Sequence, residues 1–155
     1  MLKSVSVGLK VDQEISEQEL LERYAKAQEW AVNELSLKYK VPFKANVSLT
    51  TQFGKFDFDA YADSSAARYI AEVKYWQANK SDKLLKLSIQ KFLSKHRDIE
   101  SVFKRNSREF KLMIVLVYDS LIGVDKQGLI DFAKDLYEEV EVEFFDFEEL
   151  GKGYW

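Results

Sequence analysis

The stretch from Gly54 to Trp76, GKFDFDAYADSSAARYIAEVKYW, constrains the fold more than any other part of the sequence. Polar and apolar residues alternate along 55–62 and again along 68–76. Alternation with a period of two is the pattern of a β-strand that buries one face. The Asp-Ser-Ser triplet between the two runs is typical of a tight turn. The stretch is therefore predicted to form an antiparallel β-hairpin.

Charged side chains of the two strands are predicted to meet on one face of this hairpin. The first strand is expected to turn four apolar side chains to the opposite face: Phe56, Phe58, Ala60 and Ala62. Asp57 and Asp59 then share the remaining face of that strand, and Glu72 and Lys74 share one face of the returning strand. If the strands pair, the carboxylates and the lysine lie side by side.

Such a group of side chains has a specific chemical use. Two or three carboxylate oxygens within a few Å form a hard ligand set that suits Mg²⁺ or Mn²⁺. A lysine beside them can orient and help activate a water molecule, and the metal stabilises charge on a scissile phosphate. The alternative is an exposed strand face with ordinary salt bridges, which contribute little. A second Glu-x-Lys, Glu109 to Lys111, follows no acidic hairpin strand and is interpreted as structural.

The rest of the chain predicts helices and strands around the hairpin. Ser16 and Glu19 form a capping-box signature that predicts a first helix over 17–39, with Pro42 marking its exit. Its inward positions are predicted from helical spacing: Leu21, Ala25, Val32, Leu35 and Tyr39. A second helix is expected to open at Ser81, with an apolar stripe made of Leu85, Ile89, Phe92, His96, Ile99 and Phe103.

Three further strands are predicted over 43–51, 110–118 and 140–147, a third helix over 127–139, and a tail over the last five residues. The element order is α-β-β-β-α-β-α-β. Adjacent strands after the first helix indicate antiparallel pairing, and the β-α-β-α-β portion indicates parallel crossovers. The fold class is therefore α/β, with a mixed β-sheet flanked by helices on both faces. The apolar strand 110–118 is expected to be central.

Composition limits the classes of protein that fit. The 155 residues suit a single domain, 1–155, with a self-sufficient core. The absence of cysteine excludes disulfides and thiolate metal sites. The single histidine, His96, lies on the apolar stripe, so a core position is expected for it. No signal peptide is evident, and the longest apolar run, Leu112–Tyr118, is too short to span a membrane, which favours a soluble, cytoplasmic protein.

Charge is distributed unevenly along the chain. The net charge is −3, but 80–108 contains nine Lys and Arg against three acidic residues, and 119–150 contains eleven acidic residues against two Lys. A basic segment inside an acidic chain can still contact phosphates. The polar side of the second helix supplies the candidate nucleic-acid-binding residues: Lys80, Lys83, Lys86, Gln90, Arg97 and Lys104. The alternative for these residues is a solvated helix face.

Residues 54–76 resemble the core of the PD-(D/E)xK nuclease superfamily, which has the restriction-endonuclease-like fold. The closer likeness is to its archaeal Holliday-junction-resolvase and Mrr-like branches, and the predicted element order over 17–118 is also that of the fold's core. The resemblance implies that an Asp and Glu72 bind Mg²⁺ or Mn²⁺, with help from the Val73 carbonyl, and that Lys74 positions the water. Asp59 is preferred to Asp57, because it precedes a short apolar stretch and lies thirteen residues before Glu72.

The resemblance also implies further residues and partners. Many family members add a Glu from the first helix, for which Glu29 is the candidate ligand and Glu22 the second choice, and some place a Gln such as Gln90 near the site. The proline of the motif is absent here, since phenylalanines precede both Asp residues. The expected function is a metal-dependent endonuclease that hydrolyses DNA, including branched or modified DNA. The alternative is a catalytically inactive module of the same fold that binds nucleic acid or protein. The oligomeric state is left open, and a homodimer would supply the two active sites that cutting two strands requires.

Overall fold

The computed structural model describes residues 16–52, 54–76, 82–104, 109–119 and 125–154. The elements are α1 (Glu17–Tyr39), β1 (Lys44–Thr51), β2 (Gly54–Asp63), β3 (Ala67–Trp76), α2 (Asp82–Lys104), β4 (Glu109–Tyr118), α3 (Lys126–Leu136), β5 (Glu141–Asp146), α4 (Phe147–Gly151) and a short 3-10 turn (Lys152–Tyr154). Across these described ranges, no helix has both the length and the apolar character needed to cross a membrane.

The five strands form one sheet in the order β1-β2-β3-β4-β5. The first three strands pair antiparallel, and β3, β4 and β5 pair parallel. Parallel neighbours need a crossover, and α2 and α3 occupy the two connections. The predicted α/β class, with a mixed sheet flanked by helices, is therefore confirmed.

Two apolar cores lie on opposite faces of this sheet, and β4 contributes to both. Leu112, Ile114 and Leu116 pack with α2 and α3, whereas the alternate residues of β4 pack with α1 and α4. Every residue from Leu112 to Tyr118 is buried. Because both faces of a central parallel strand are covered, its sequence is continuously apolar. The strand was expected to be central; it is an interior strand, between β3 and β5, and the middle strand of the five is β3.

Helix α1 begins where the capping signature predicts, because the Ser16 hydroxyl accepts a hydrogen bond of 3.0 Å from the Glu19 backbone N–H. The predicted inward face was partly wrong. Leu21 is 64% exposed, and the buried side chains of the helix are Ala27, Trp30, Ala31, Val32 and Leu35. All of these buried residues lie from Ala27 onward, and in the amino-terminal half Leu20 is partly buried against the same core.

The end of the chain was predicted as a strand and a tail, but β5 ends at Asp146 and helix α4 follows. The Asp146 carboxylate caps that helix, accepting hydrogen bonds from the backbone N–H groups of Glu148 (2.9 Å) and Glu149 (3.2 Å). Asp146 followed three residues later by Glu149 resembles the capping pattern that located α1. The sequence therefore contained the signal for this helix.

His96 lies in the core between α2 and the sheet, as expected for the apolar stripe of that helix. It is 1% exposed, and the rings of Phe92, Phe58 and Phe56 surround it with centroid distances of 4.6, 5.0 and 5.9 Å. Among the described residues, no group forms a hydrogen bond with its Nδ1. Burial, with a smaller contribution from Lys95, lowers the pKa of His96 to about 4.

This buried imidazole predicts a specific loss of stability in acid. A folded-state pKa near 4, below the ordinary 6.5, means that the unfolded chain binds the proton more readily, so stability is lost as the pH falls from 6.5 towards 4. The histidine accounts for up to about 3 kcal/mol of that loss. Urea unfolding of wild type and His96→Leu at pH 7.5, 6.0 and 4.5 measures it. Wild type is expected to lose stability relative to His96→Leu as the pH falls, and a difference in stability that does not change with pH would contradict the assignment.

Candidate active site

The candidate site lies where β2 and β3 stop pairing. The two strands are paired through only four residue pairs, from Ala60–Ala71 to Asp63–Arg68. Beyond these pairs, residues 54–58 pair with β1 alone and residues 72–76 pair with β4 alone. A gap in the hydrogen-bond ladder therefore opens in the middle of the sheet, beside Asp59 and Glu72.

Side chains replace the backbone bonds at this gap. The Val73 backbone N–H donates a 2.9 Å hydrogen bond to the carboxylate Oδ2 of Asp59 rather than to a strand carbonyl. The Asp59 carbonyl accepts instead from the Gln28 side chain of α1, also at 2.9 Å. Gln28 donates a second bond of 2.9 Å to Asn46 of β1, whose φ of 54° is in the left-handed region. These bonds fix the point at which the ladder ends.

The interruption also explains an error in the predicted strand faces. Phe56 and Phe58 pack into the core with α2, but Ala60 and Ala62 pack into the core with α1. The four side chains were expected on one face, and they are divided between two. Strict alternation requires an unbroken ladder, and Asp59 turns its side chain towards β3 at the point where the ladder ends.

An open cleft of about 630 Å³ occupies this region of the sheet, between α1 and α2. Asp59, Glu72 and Lys74 all line it. Its walls are largely apolar and aromatic, with Tyr24 of α1 and Leu84 of α2 on opposite sides. Among the described residues that line the cleft, Lys74 is the only cation. The structure thus brings together three of the four charged residues that the hairpin pattern singled out.

The electrostatics of the cleft are dominated by two carboxyl groups in contact. The Glu72 side chain is 22% exposed and lies beside the Asp59 carboxyl group, with which it forms a hydrogen bond only when one of the two is protonated. Burial, followed by that hydrogen bond and the like charge of Asp59, raises the pKa of Glu72 to about 7. Lys74 acts in the opposite direction, with its Nζ 3.6 Å from Glu72 Oε2. The arrangement favours a proton or another cation between the two carboxyl groups.

This donor set is compatible with magnesium and not with a closed zinc site. Mg²⁺ is commonly held by one or two carboxylates, with water and substrate phosphate completing its shell. Asp59 and Glu72 supply two carboxylates, and the second oxygen of Asp59 is not used in the bond to Val73. In the described part of the chain, no group of three or more His, Cys, Asp or Glu side chains could hold a metal. A tetrahedral protein-only site therefore has no basis in these residues.

The other predicted acidic ligands lie outside the cleft. Asp57 is exposed on β2, where its carboxylate accepts a hydrogen bond from the Ser48 hydroxyl of β1. Glu29 and Glu22 are exposed on α1, and neither lines the cleft. The helix contributes Gln28 instead, one position from Glu29. Sequence reasoning missed Gln28, because its role depends on Asn46 and on which side of α1 meets the gap.

The basic residues of α2 also lie away from the cleft. Lys83, Gln90 and Arg97 are exposed, and none of them lines the cleft. Lys86 packs over the Phe132 ring at 5.5 Å, and Arg97 lies 3.5 Å from the Leu136 carbonyl, so both reach towards α3. Lys80 and the side chain of Lys104 lie outside the described residues.

A polar cluster beside the cleft was also missed. Arg23 of α1 donates hydrogen bonds to Asp119 at 3.0 Å and to the Tyr75 hydroxyl at 3.2 Å, and Tyr75 donates to Asp119. The cluster ties the amino-terminal half of α1 to the ends of β3 and β4, and Tyr75 itself lines the cleft. The three residues are separated by 44 to 96 positions in the sequence, so no local pattern could connect them.

Comparisons with known proteins bear on the fold alone. The sequence matches no known family, and no curated protein matches it. The structure is similar to the crystal structure of protein AF1548, a protein of unknown function, with a TM-score of 0.51 and 14% sequence identity. The match covers 83% of this chain and 65% of that one, so the matched part spans slightly less than two thirds of the neighbour. At this identity the likeness shows a shared fold.

The contact between the two carboxyl groups predicts that Glu72 destabilises the fold at alkaline pH. A pKa raised from 4.5 to about 7 means that ionised Glu72 is less stable in the folded protein, so stability falls as the pH rises through this window. Glu72→Gln is expected to increase the free energy of unfolding at pH 8 by up to about 3 kcal/mol, with little effect at pH 4.5. Urea unfolding at both pH values measures the change.

The second Glu-x-Lys sequence supplies a matched control for this experiment. The Glu109 side chain is 65% exposed and pairs with Lys111 at 3.1 Å. Glu109→Gln is expected to leave the stability at pH 8 nearly unchanged, since exposed pairs contribute little. A Glu72→Gln variant less stable than wild type at pH 8 would contradict the assigned carboxyl contact.

Proposed function

We propose that this protein is a metal-dependent nuclease of the PD-(D/E)xK type, which hydrolyses phosphodiester bonds in DNA. The observation that carries the proposal is the contact between the Asp59 and Glu72 carboxyl groups inside a cleft, with the Lys74 ammonium 3.6 Å from Glu72. If Lys74 and Glu72 formed only a structural ion pair, a second half-buried carboxylate such as Asp59 would not be needed beside them. Carboxyl groups with perturbed pKa values in a cleft are typical of functional sites.

The fold supports the same proposal. A mixed five-stranded sheet carries α1 on one face and α2 on the other, and the site lies on the second and third strands, where the restriction-endonuclease-like fold places it. The helices and strands from α1 to β4 follow the order α-β-β-β-α-β. We infer that this chain has the restriction-endonuclease-like fold.

Each functional residue of the cleft has a separate role in the proposed hydrolysis. Asp59 and Glu72, with the backbone carbonyl of Val73, would hold Mg²⁺ or Mn²⁺. The ion, when bound, stabilises the charge that develops on the phosphate. Lys74 donates hydrogen bonds that orient the attacking water and contact a phosphate oxygen. Hydrolysis forms a bond between the water oxygen and phosphorus, breaks the bond to the departing sugar oxygen, and transfers a water proton to the products or solvent.

One observation favours a second candidate, a module of this fold that binds without cutting. Within the described ranges no third ligating side chain joins Asp59 and Glu72, and Lys74 already forms an ion pair with Glu72. Such a module would keep the cleft and lack metal-dependent cleavage. Metal binding and cleavage therefore distinguish the two candidates.

Metal binding predicts a change in stability that does not depend on activity. A ligand that binds only the folded protein stabilises it by about 2.7 kcal/mol at one hundred times its dissociation constant. Saturating Mg²⁺ or Mn²⁺ at pH 8 is expected to stabilise wild type on this scale, and Asp59→Asn is expected to lose most of the effect. Asp57→Asn, two residues away on the same strand, is the control and should respond as wild type does. Equal loss in both variants would contradict Asp59 as the ligand.

Cleavage is predicted to depend on Lys74 and not on Lys111. We expect wild type with Mg²⁺ or Mn²⁺ to cut at least one member of a panel of linear, single-stranded, flapped and branched DNA. Lys74→Ala should lower the rate by about 100-fold or more, the scale on which removing one positioned donor acts. Lys111→Ala, in the other Glu-x-Lys sequence, should cut at the wild-type rate. Cleavage that survives Lys74→Ala would exclude the mechanism, and the absence of both cleavage and metal stabilisation would favour the binding module.

A further inference from the structure

The last strand of the sheet has a free edge. β5 pairs with β4 on one side, and in the described part of the chain no strand pairs with its other side. All six of its residues, Glu141–Asp146, are half-buried. An edge strand presents backbone N–H and C=O groups that can pair with an added chain.

A groove of about 670 Å³, the β5 groove, lies at the carboxy-terminal end of this edge, between the carboxy-terminal half of α1 and helix α4. The last three residues of β5 line it. Phe144 packs with the core of α2 and α3, whereas Phe145 packs with the core of α1 and α4. Both residues line the groove, so it reaches the backbone edge of the strand as well as the sheet face. Leu37, which is 74% exposed, forms an apolar wall, and Leu150 lines the groove as well.

The polar residues of the β5 groove are acidic. Glu34, Asp146 and Glu149 line it, and the described lining residues include no Lys, Arg or His. Glu143, on the preceding part of β5, is paired with Lys38 of α1. Lys152, just outside the groove, places its ammonium 2.9 Å from Glu149, which shows where a cation is stabilised on this rim. An acidic rim repels nucleic acid and favours a cationic partner.

We propose that the β5 groove binds an extended segment of a partner protein, in which Lys or Arg alternates with aliphatic residues. The segment adds to β5 as a sixth strand. Its backbone pairs with the edge of β5, and its aliphatic side chains cover Leu37 and Phe145. Its cations face Glu34 and take the place of Lys152 beside Glu149. This is strand addition, in which backbone bonds supply affinity and alternate side chains supply specificity.

Charge argues against a second copy of this chain as the occupant. In a two-fold interface the same patch meets itself, so the acidic rim of one copy would face that of the other. The groove also shares no lining residue with the cleft that contains Glu72 and Lys74. Binding at β5 can therefore be tested separately from metal binding and cleavage.

The probe is a fluorescein-labelled peptide of eight alternating Lys and Val residues, titrated with the full chain and followed by fluorescence anisotropy. We expect saturable binding that weakens with added salt, and slower deuterium exchange of the amides of residues 141–146. Leu37→Asn, which removes the apolar wall without adding charge, should weaken binding at least tenfold, and Leu37→Asp should weaken it as well. Leu21→Asp changes another exposed leucine of α1, one outside the groove, and should bind as wild type does. Alternate N-methylation of the peptide should abolish binding by blocking backbone pairing.

Several results would overturn the proposal. Equal binding by wild type and Leu37→Asp would place the peptide elsewhere, and equal binding of a peptide with Glu in place of Lys would remove the charge argument. A dimer in sedimentation that Leu37→Asp dissociates would assign the edge to a second copy. Peptide binding that occurs only after removal of residues 1–15 would assign the edge to this chain's own segment.

Discussion

The structure depends on one hydrogen bond, from the backbone N–H of Val73 to the carboxylate of Asp59. In an uninterrupted antiparallel ladder that N–H would bond a carbonyl of β2, and the Asp59 side chain would stand perpendicular to the sheet. Here the carboxylate takes the place of the carbonyl, and Gln28 holds the carbonyl that is released. The two strands can then part without leaving either group unsatisfied. The cleft exists because a side chain completes the hydrogen bonding of the sheet at that point.

The same arrangement lowers the stability of the folded protein when no cation lies between the two carboxyl groups. Glu72 is largely removed from water beside another carboxyl group, and one lysine only partly compensates. The rest of the fold must supply the stability that this site removes. It does so through β4, which is buried on both faces and packs into two separate cores. β4 pairs with the strand that carries Glu72 and Lys74, so the buried strand lies directly beside the two carboxyl groups.

The alternation of residues predicted side-chain positions correctly where a strand is regular, and it failed where a strand is interrupted. β3 is regular and is paired along its length with β4, so alternation correctly placed Glu72 and Lys74 on one side of the strand. β2 is interrupted at Asp59, so alternation failed for the side chains around it, and the cleft could not be derived from strand pattern alone. Preference for Asp59 over Asp57 came from spacing, and the geometry that brings Asp59 to Glu72 comes from Gln28 and Asn46, which lie on other elements.

The helix contribution shows a second limit of sequence reasoning. Adjacent residues on a helix point about 100° apart, so a shift of one position exchanges Glu29 for Gln28 at the gap. That rotation is set by the packing of Ala27, Trp30 and Ala31 under the helix, which depends on the whole sheet face. By contrast, Asp146 and Glu149 formed a local capping pattern that was sufficient to predict α4 and was overlooked.

The two halves of α1 border two different acidic sites. Its amino-terminal half borders the cleft, where Lys74 is the only cation among the described lining residues, and its carboxy-terminal half borders the β5 groove. A phosphate approaching the cleft meets two carboxyl groups, so only a bound cation can make that approach favourable. The β5 groove offers single carboxylates on an open rim, beside a backbone edge and exposed aliphatic surface. These features favour a cationic polypeptide, because its own lysines neutralise the rim while its backbone satisfies the strand. Under the two proposals, the same acidic chemistry would select a metal ion with phosphate at one end of the helix and a cationic peptide at the other.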